Sequence, residues 1–405
     1  MRVSRSVPSA LLLAAALVAA LLVPVSPAAA DGPGSGTATV VSLGDSAISG
    51  EAGRWAGNTN QSSSWTDALG STAYYDNATN SAETIPGCHR SKAAEVHIGS
   101  GVVSKNLACS GARTTTSAYD PDSDFKPGID FYDDGNGHIG QAKALQSYAA
   151  SHNVKAVTLR IGANNYHFAD IVETCVLDWY FSPWWAKNYC QDDSNIAPLF
   201  TASNVAAETA NIKTAILNVR AAMSNAGYAD SSYTILVNTY WNPVPRGSQI
   251  RYPETGYTRQ TTGGCGVWNS DADWANDTVV PTINNSVKNA AAAAGLTNVK
   301  ILDMHTFMNG HRLCENTVGL LEEKGLTSWT QAGAADKTEW FEQIRTSSTV
   351  GGPYQLQEDA HANYWGQLAM RNCLRQAYNG GAIRGGKCVA SGGLNSRNEP
   401  NATIQ

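Results

Sequence analysis

Val40-Val41-Ser42-Leu43-Gly44-Asp45-Ser46-Ala47-Ile48-Ser49-Gly50 passes from an apolar run long enough for a buried strand directly into Gly-Asp-Ser. A strand that stops on glycine holds the following serine hydroxyl at the sheet edge. Nucleophilic catalysis needs that placement, because a serine hydroxyl reacts only where a base reaches it and donors await the oxyanion. Taken alone, Gly-Asp-Ser is also an ordinary strand-ending turn, so the rest of the chain must decide. Further apolar strand candidates recur at 102–108, 155–161, 233–239 and 299–303, with helical patterns between the later ones. That alternation predicts an α/β fold with a mainly parallel sheet.

The clearest helix carries Val205, Thr209, Ile212, Ile216, Val219 and Met223 on one stripe, with Ser203 or Asn204 as the expected cap and Gly227 as the stop. A second is expected from about Asp277 to Ala294, ending at Gly295, and a last from Asn363 to Tyr378 before Gly380-Gly381. No internal repeat is visible. The tail 391–405 is rich in Gly, Ser and Asn and is expected to be disordered.

Arg2 and Arg5 precede an apolar run from Ala10 to Val25 and a small-residue stretch ending at Ala30, the pattern of a secretory signal over 1–30. No later segment approaches twenty apolar residues, so an exported protein without stable membrane insertion is expected, with one catalytic domain over 31–390. Without Arg2 and Arg5 the net charge moves from −6 to −8, and no basic cluster occurs. Nucleic acid is therefore excluded as a natural partner.

Eight cysteines, an even number in an exported chain, favour disulfides over metal ligands, and no Cys-x-x-Cys occurs. Spacing alone leaves the connectivity open. Local pairing is expected: Cys88 with Cys109, Cys175 with Cys190 and Cys373 with Cys388 close short loops, which leaves Cys265 with Cys314.

In a parallel sheet, the loops at the carboxyl ends of the strands share one edge. Ser46 follows the first strand, Cys109-Ser110-Gly111-Ala112 the second, and Gly162-Ala163-Asn164-Asn165 the third. The N–H groups of Ser46 and Gly111 and the Asn164 amide would supply three oxyanion donors. Glu358-Asp359-Ala360-His361 places an imidazole just before the last helix, with two carboxylates upstream to orient it.

Gly44-Asp45-Ser46, Gly111, Gly162-Ala163-Asn164 and His361, in that order, resemble the four blocks of the SGNH or GDSL hydrolases. The likeness is closest to secreted actinobacterial lipases and esterases of that family, on Cys88-His89-Arg90-Ser91, Ala108 to Ala112 and Gly310-His311-Arg312-Leu313-Cys314. It spans most of 39–378. The resemblance implies a three-layer α/β/α sandwich of flavodoxin-like kind with disulfide-tied loop insertions and local cysteine pairing. It also implies an ester hydrolase with Ser46 as nucleophile, His361 as base, and Ser46, Gly111 and Asn164 as the oxyanion hole. Asn165 stands where the family has Asp, and Ala362 where it has Pro. Glu358 occupies the position of the family's acid, with Asp359 one residue closer; because some relatives orient the histidine by a main-chain carbonyl instead, Glu358 acts by its carboxylate, by its backbone oxygen, or not at all.

The expected substrate is a small-molecule or lipid ester, handled by a monomer without metal or organic cofactor. The alternatives are a polysaccharide acetyl esterase and a catalytically silent carbohydrate-binding protein. The aromatic stretch Trp179 to Tyr189 either walls an acyl or sugar pocket or fills its own loop, and Tyr240-Trp241-Asn242-Pro243 has a similar claim. Asp120-Pro121-Asp122-Ser123-Asp124 begins like a calcium loop, but Phe125 stands where that loop needs glycine, so a solvated acidic loop is expected. The other histidines, His89 and His311 among them, read as surface or core residues.

Overall fold

The computed structural model describes residues 33–118, 125–345 and 358–405. The signal segment 1–30 and the Asp120–Asp124 loop lie outside the described residues. The sheet has seven strands: β1 (Ala38–Gly44), β2 (Val103–Asn106), β3 (Asn153–Arg160), β4 (Thr234–Asn238), β5 (Val299–Asp303), β6 (Gly386–Leu394) and β7 (Pro400–Ile404). Their order is β2-β1-β3-β4-β5-β6-β7, parallel throughout except for the final β6–β7 pair. The apolar runs of β1, β3 and β4 are buried almost end to end, as strands covered on both faces must be. The order reverses at β1, so the β1/β3 boundary is a topological switch point, where open α/β sheets form their ligand crevice.

The helices that fix the crevice are α1 (Ser46–Ser49), α2 (Gln141–Ala149), α3 (Phe168–Phe181), α4 (Ala202–Asn225), α5 (Val280–Ala293) and α6 (Tyr364–Tyr378). α4 packs between α2 and α5. Its cap is Thr201, whose hydroxyl accepts from the Asn204 N–H, rather than Ser203 or Asn204. α5 begins three residues later than the sequence pattern predicts, because the helix Asn269–Trp274 runs into it through a π-helical turn. Asn363 caps α6 by accepting from the N–H groups of Trp365 and Gly366.

The tail is not disordered. Residues from Gly386 onward form the β6–β7 hairpin, and Cys388 in β6 is bonded to Cys373 in α6. Period-two hydrophobicity is weak there, which is why composition misled: pairing is supplied by the β5 edge and by α6, not by a buried stripe. All eight cysteines are paired, as 88–109, 175–190, 265–314 and 373–388. Closing loops of these lengths contributes about 3 to 4 kcal/mol each by restricting the unfolded chain.

Beneath α1, Arg160 at the end of β3 is completely buried and pairs with the equally buried Glu95 at 2.9 Å. The same guanidinium donates to the Ala47 carbonyl at 2.8 Å and lies 4.5 Å from the Trp241 ring centroid, so it ties α1 to the sheet. Glu95→Ala would strand that charge, and a loss of about 3 to 5 kcal/mol is expected, read as a fall in the urea midpoint.

Candidate active site

The turn at Ser46 is set by its neighbours. Gly44 has φ +138°, and a Cβ there would sit 1.9 Å from the Arg160 carbonyl oxygen, so only glycine lets β1 run this close to β3. Gln141 clamps the same residue, accepting its N–H at 2.8 Å and donating to its carbonyl at 2.9 Å. Asp45 then caps α1 by accepting the Ala47 N–H at 3.1 Å, and also accepts the Tyr240 hydroxyl. Burial pushes the Asp45 carboxyl up to about 6, against the opposing effect of those two hydrogen bonds and of Arg160.

Ser46 is 8 % exposed, and its Oγ lies 2.7 Å from Nε2 of His361. The opposite ring nitrogen, Nδ1, is 2.9 Å from the backbone carbonyl of Asp359. A carbonyl only accepts, so Nδ1 carries the proton and Nε2 is left to accept from Ser46. The turn that presents the ring is closed by the His361 N–H donating to the Glu358 carbonyl, with Ala360 held at φ +59°. A left-handed alanine is unfavourable and persists because residues 340–342 pin this turn on both sides, accepting from Ala360 and Asn363 and donating to His361. Burial depresses the His361 pKa, opposed by nearby Glu51 and by the Asp359 carbonyl.

The carboxylate of Glu358 does not face His361. It is buried, accepting from the Trp55 indole N–H at 2.7 Å and from the Tyr74 hydroxyl, and burial with Glu51 close by raises it to about 7. Asp359 likewise turns away, accepting the Arg345 N–H at 2.7 Å, and burial raises it to about 9. The expected side-chain role of Glu358 is thus corrected: a main-chain oxygen, and that of Asp359, meets the imidazole. The donors oppose the rise in pKa of both carboxyls, because hydrogen bonds to a carboxylate favour its charged form.

Gly111 and Asn164 come together. Asn164 Nδ2 donates to the Ala112 carbonyl at 2.9 Å, which fastens the turn after β3 to the turn after β2. The N–H groups of Ser46 and Gly111 make no hydrogen bond with a described residue. Gly111 is exposed and adopts φ +79°, a conformation that favours glycine. Asn165 accepts the Thr114 N–H and donates to Thr114 and Glu208, so an amide does the tethering.

Tyr240, given a claim to the pocket by the sequence, serves the site as a tie between turns, whereas the role of Glu51 and His89 behind the site escaped the sequence pattern. Tyr240 joins two of the turns, donating to Asp45 and accepting the Ala163 N–H at 3.2 Å. Behind the site, His89 and Glu51 form a fully buried pair at 2.5 Å, with Tyr74 stacked on the imidazole. The two residues lie 38 positions apart in sequence, and no local spacing points to their pairing. Among the described residues, the group with metal-ligand spacing is Cys175, Cys190 and Asp271. Its two sulfurs form a disulfide and are not thiolates, so it does not fit a metal.

A narrow apolar cavity of about 50 Å³ adjoins the histidine turn, lined by Ala360, Ile344, Val244, Val267 and, from α3, Ile171 and Val172. The aromatic stretch divides its roles. Trp179 packs inward against Trp268 and Tyr257, whereas Phe181, Trp184 and Trp185 are 64–77 % exposed. These rings neither line that cavity nor fill their own loop.

No family model matches the chain, and no curated protein matches it. Among solved structures it is similar to an extracellular lipase from Streptomyces rimosus, at 19 % identity and TM-score 0.39 over 82 % of this chain and 94 % of that one. It is also similar to a phospholipase A1 from Streptomyces albidoflavus, at 18 % identity and TM-score 0.40 over 82 % and 95 %. A family two carbohydrate esterase from Clostridium thermocellum matches at 11 % identity and TM-score 0.35, over 84 % of this chain and 63 % of that one.

Proposed function

We propose that this protein is a secreted serine hydrolase of the SGNH type that cleaves carboxylic esters through an acyl-enzyme on Ser46. The observation that carries the proposal is the 2.7 Å contact between Ser46 Oγ and His361 Nε2, with Nδ1 held by a carbonyl. As Oγ attacks the ester carbonyl, Nε2 takes its proton, and the Asp359 carbonyl stabilises the imidazolium. The oxyanion of the tetrahedral intermediate meets the N–H groups of Ser46 and Gly111 and the Asn164 amide. His361 returns the proton to the departing alcohol oxygen as the carbon–oxygen bond breaks. It then takes a proton from water, whose oxygen attacks the acyl carbon, and Ser46 leaves reprotonated with release of the acid.

The apolar cavity beside Ala360 favours a carbon chain over an acetyl group. Each methylene drawn out of water is worth about 0.8 kcal/mol. For nitrophenyl esters, kcat/KM is therefore expected to rise by about fourfold per methylene beyond acetate and then level off when the cavity is full. A maximum at acetate would favour the deacetylase reading, which the exposed Trp184 and Trp185 rings support as a surface for stacking on sugar.

The base must be neutral to accept the serine proton. Because the His361 pKa is depressed below its ordinary 6.5, the acid limb of kcat/KM is expected below pH 6.5, with full activity at neutrality. A pH–rate profile whose limb lies above pH 7 would contradict that assignment.

A further inference from the structure

Asn242 separates two cavities of opposite character. On one side is the apolar cavity beside Ala360, and on the other a polar cleft of about 300 Å³. We propose that this cleft binds the alcohol half of the ester, and that this half is an uncharged polyol, a glycosyl or glyceryl group. The proposal rests on the hydrolase reading above.

Its link to the reacting atoms runs through one hydrogen bond. Tyr240 touches Asp45, the residue before Ser46, and Asn242 lies two residues further along the same loop. The cleft belongs to the carboxyl ends of β4 and β5, since Asn242 follows the first and His305, Thr306 and Asn309 the second. It therefore opens on the same sheet edge as Ser46, with β3 alone between β1 and β4.

The floor is built to donate. Asn242 is 3 % exposed, and its Nδ2 has no hydrogen-bond partner among the described residues, while Oδ1 accepts from the Val244 N–H. A buried amide donor left unpaired is costly, and a ligand oxygen would relieve that cost. Arg312, also buried, donates to Gln249 Oε1 at 3.0 Å and to Asn276 Oδ1 at 3.3 Å. That fixes the Gln249 amide oxygen, and the amide nitrogen donates to no described residue. The exposed rim adds Thr306 and Asn309, which both donate and accept.

Charge excludes a phosphate headgroup. The Arg312 guanidinium is matched by Glu315 at 2.5 Å, and Arg246 at the rim by Asp277 at 2.9 Å, with Asp273 nearby. His305 is held toward its neutral form by burial. Fixed amide and guanidinium donors without surplus positive charge suit hydroxyl oxygens, which accept and donate, better than an anion.

Ser46→Ala protein, which keeps an ester intact, allows binding to be measured apart from turnover. Calorimetric titration with 6-O-butyrylglucose, glyceryl monobutyrate, butyryl glycerophosphate and butyl butyrate compares four alcohols on one acyl chain. Either polyol ester is expected to bind at least tenfold more tightly than butyl butyrate, the tighter of the two identifying the source. Gln249→Ala or Asn309→Ala in the same background should reduce that preference at least fivefold with unchanged thermal melting. Equal affinity for butyl butyrate, or tightest binding of the glycerophosphate ester, would overturn the proposal. Turnover of nitrophenyl esters by the unsubstituted protein tests the hydrolase reading separately.

Discussion

Ser46→Ala is expected to lower ester turnover by roughly four to six orders of magnitude, the scale on which nucleophile and base act as one unit. What remains would come from the oxyanion donors and from substrate binding alone. The fold should survive, because the Ser46 hydroxyl contacts His361 at the crevice, whereas α1 is held by Asp45, Arg160 and Gly50. Circular dichroism and melting of the purified variant check the fold, and a nitrophenyl butyrate assay checks the loss. A variant retaining activity within tenfold of the unsubstituted protein would remove Ser46 from the chemistry. His361→Ala should fall as far, and the double variant no further, since neither residue works without the other.

Asn164→Ala is expected to lower kcat by about 10² to 10³ with a smaller change in KM, because the amide meets charge that exists only in the transition state. The contrast with Glu358 is the sharper part of the prediction. Its carboxyl, raised to about 7, is bound to Trp55 and Tyr74, and Glu358→Gln preserves an acceptor of the same shape. That variant should lose less than about tenfold in kcat, well short of Asn164→Ala. Steady-state kinetics on the same ester decide it. Loss at Glu358→Gln approaching that of His361→Ala would mean that its carboxylate orients the imidazole in solution.

The existence of the sheet's first five strands was legible because apolar segments recur and close in turns, and mainly parallel pairing follows from the helices between the later ones, whereas their spatial order was not read. The Ser46–His361 contact was legible for a related reason: the two residues stand at a strand end and a helix start, where local sequence and site coincide, while Gly111 and Asn164 were picked out by the order of the four blocks. Glu358 was not. A carboxylate three residues before a histidine reads as its partner, yet the turn through left-handed Ala360 sends both nearby carboxyls away and leaves a carbonyl at the ring. Side-chain direction in such a turn depends on Trp55, Tyr74 and Arg345, and no spacing rule reaches them. The tail was misread for a different reason. Gly392 and Gly393 lower strand propensity, but β5 offers an unpaired edge and the Cys373–Cys388 bond tethers the hairpin to α6.

The central claim is that Ser46 is a nucleophile activated by His361. Incubation with a fluorophosphonate, followed by peptide mass spectrometry, tests it without any assumption about the natural substrate. The account predicts one adduct, on the peptide containing Ser46, formed at neutral pH and absent from His361→Ala protein. No adduct on folded protein, or an adduct on another serine with Ser46 unmodified, would contradict it.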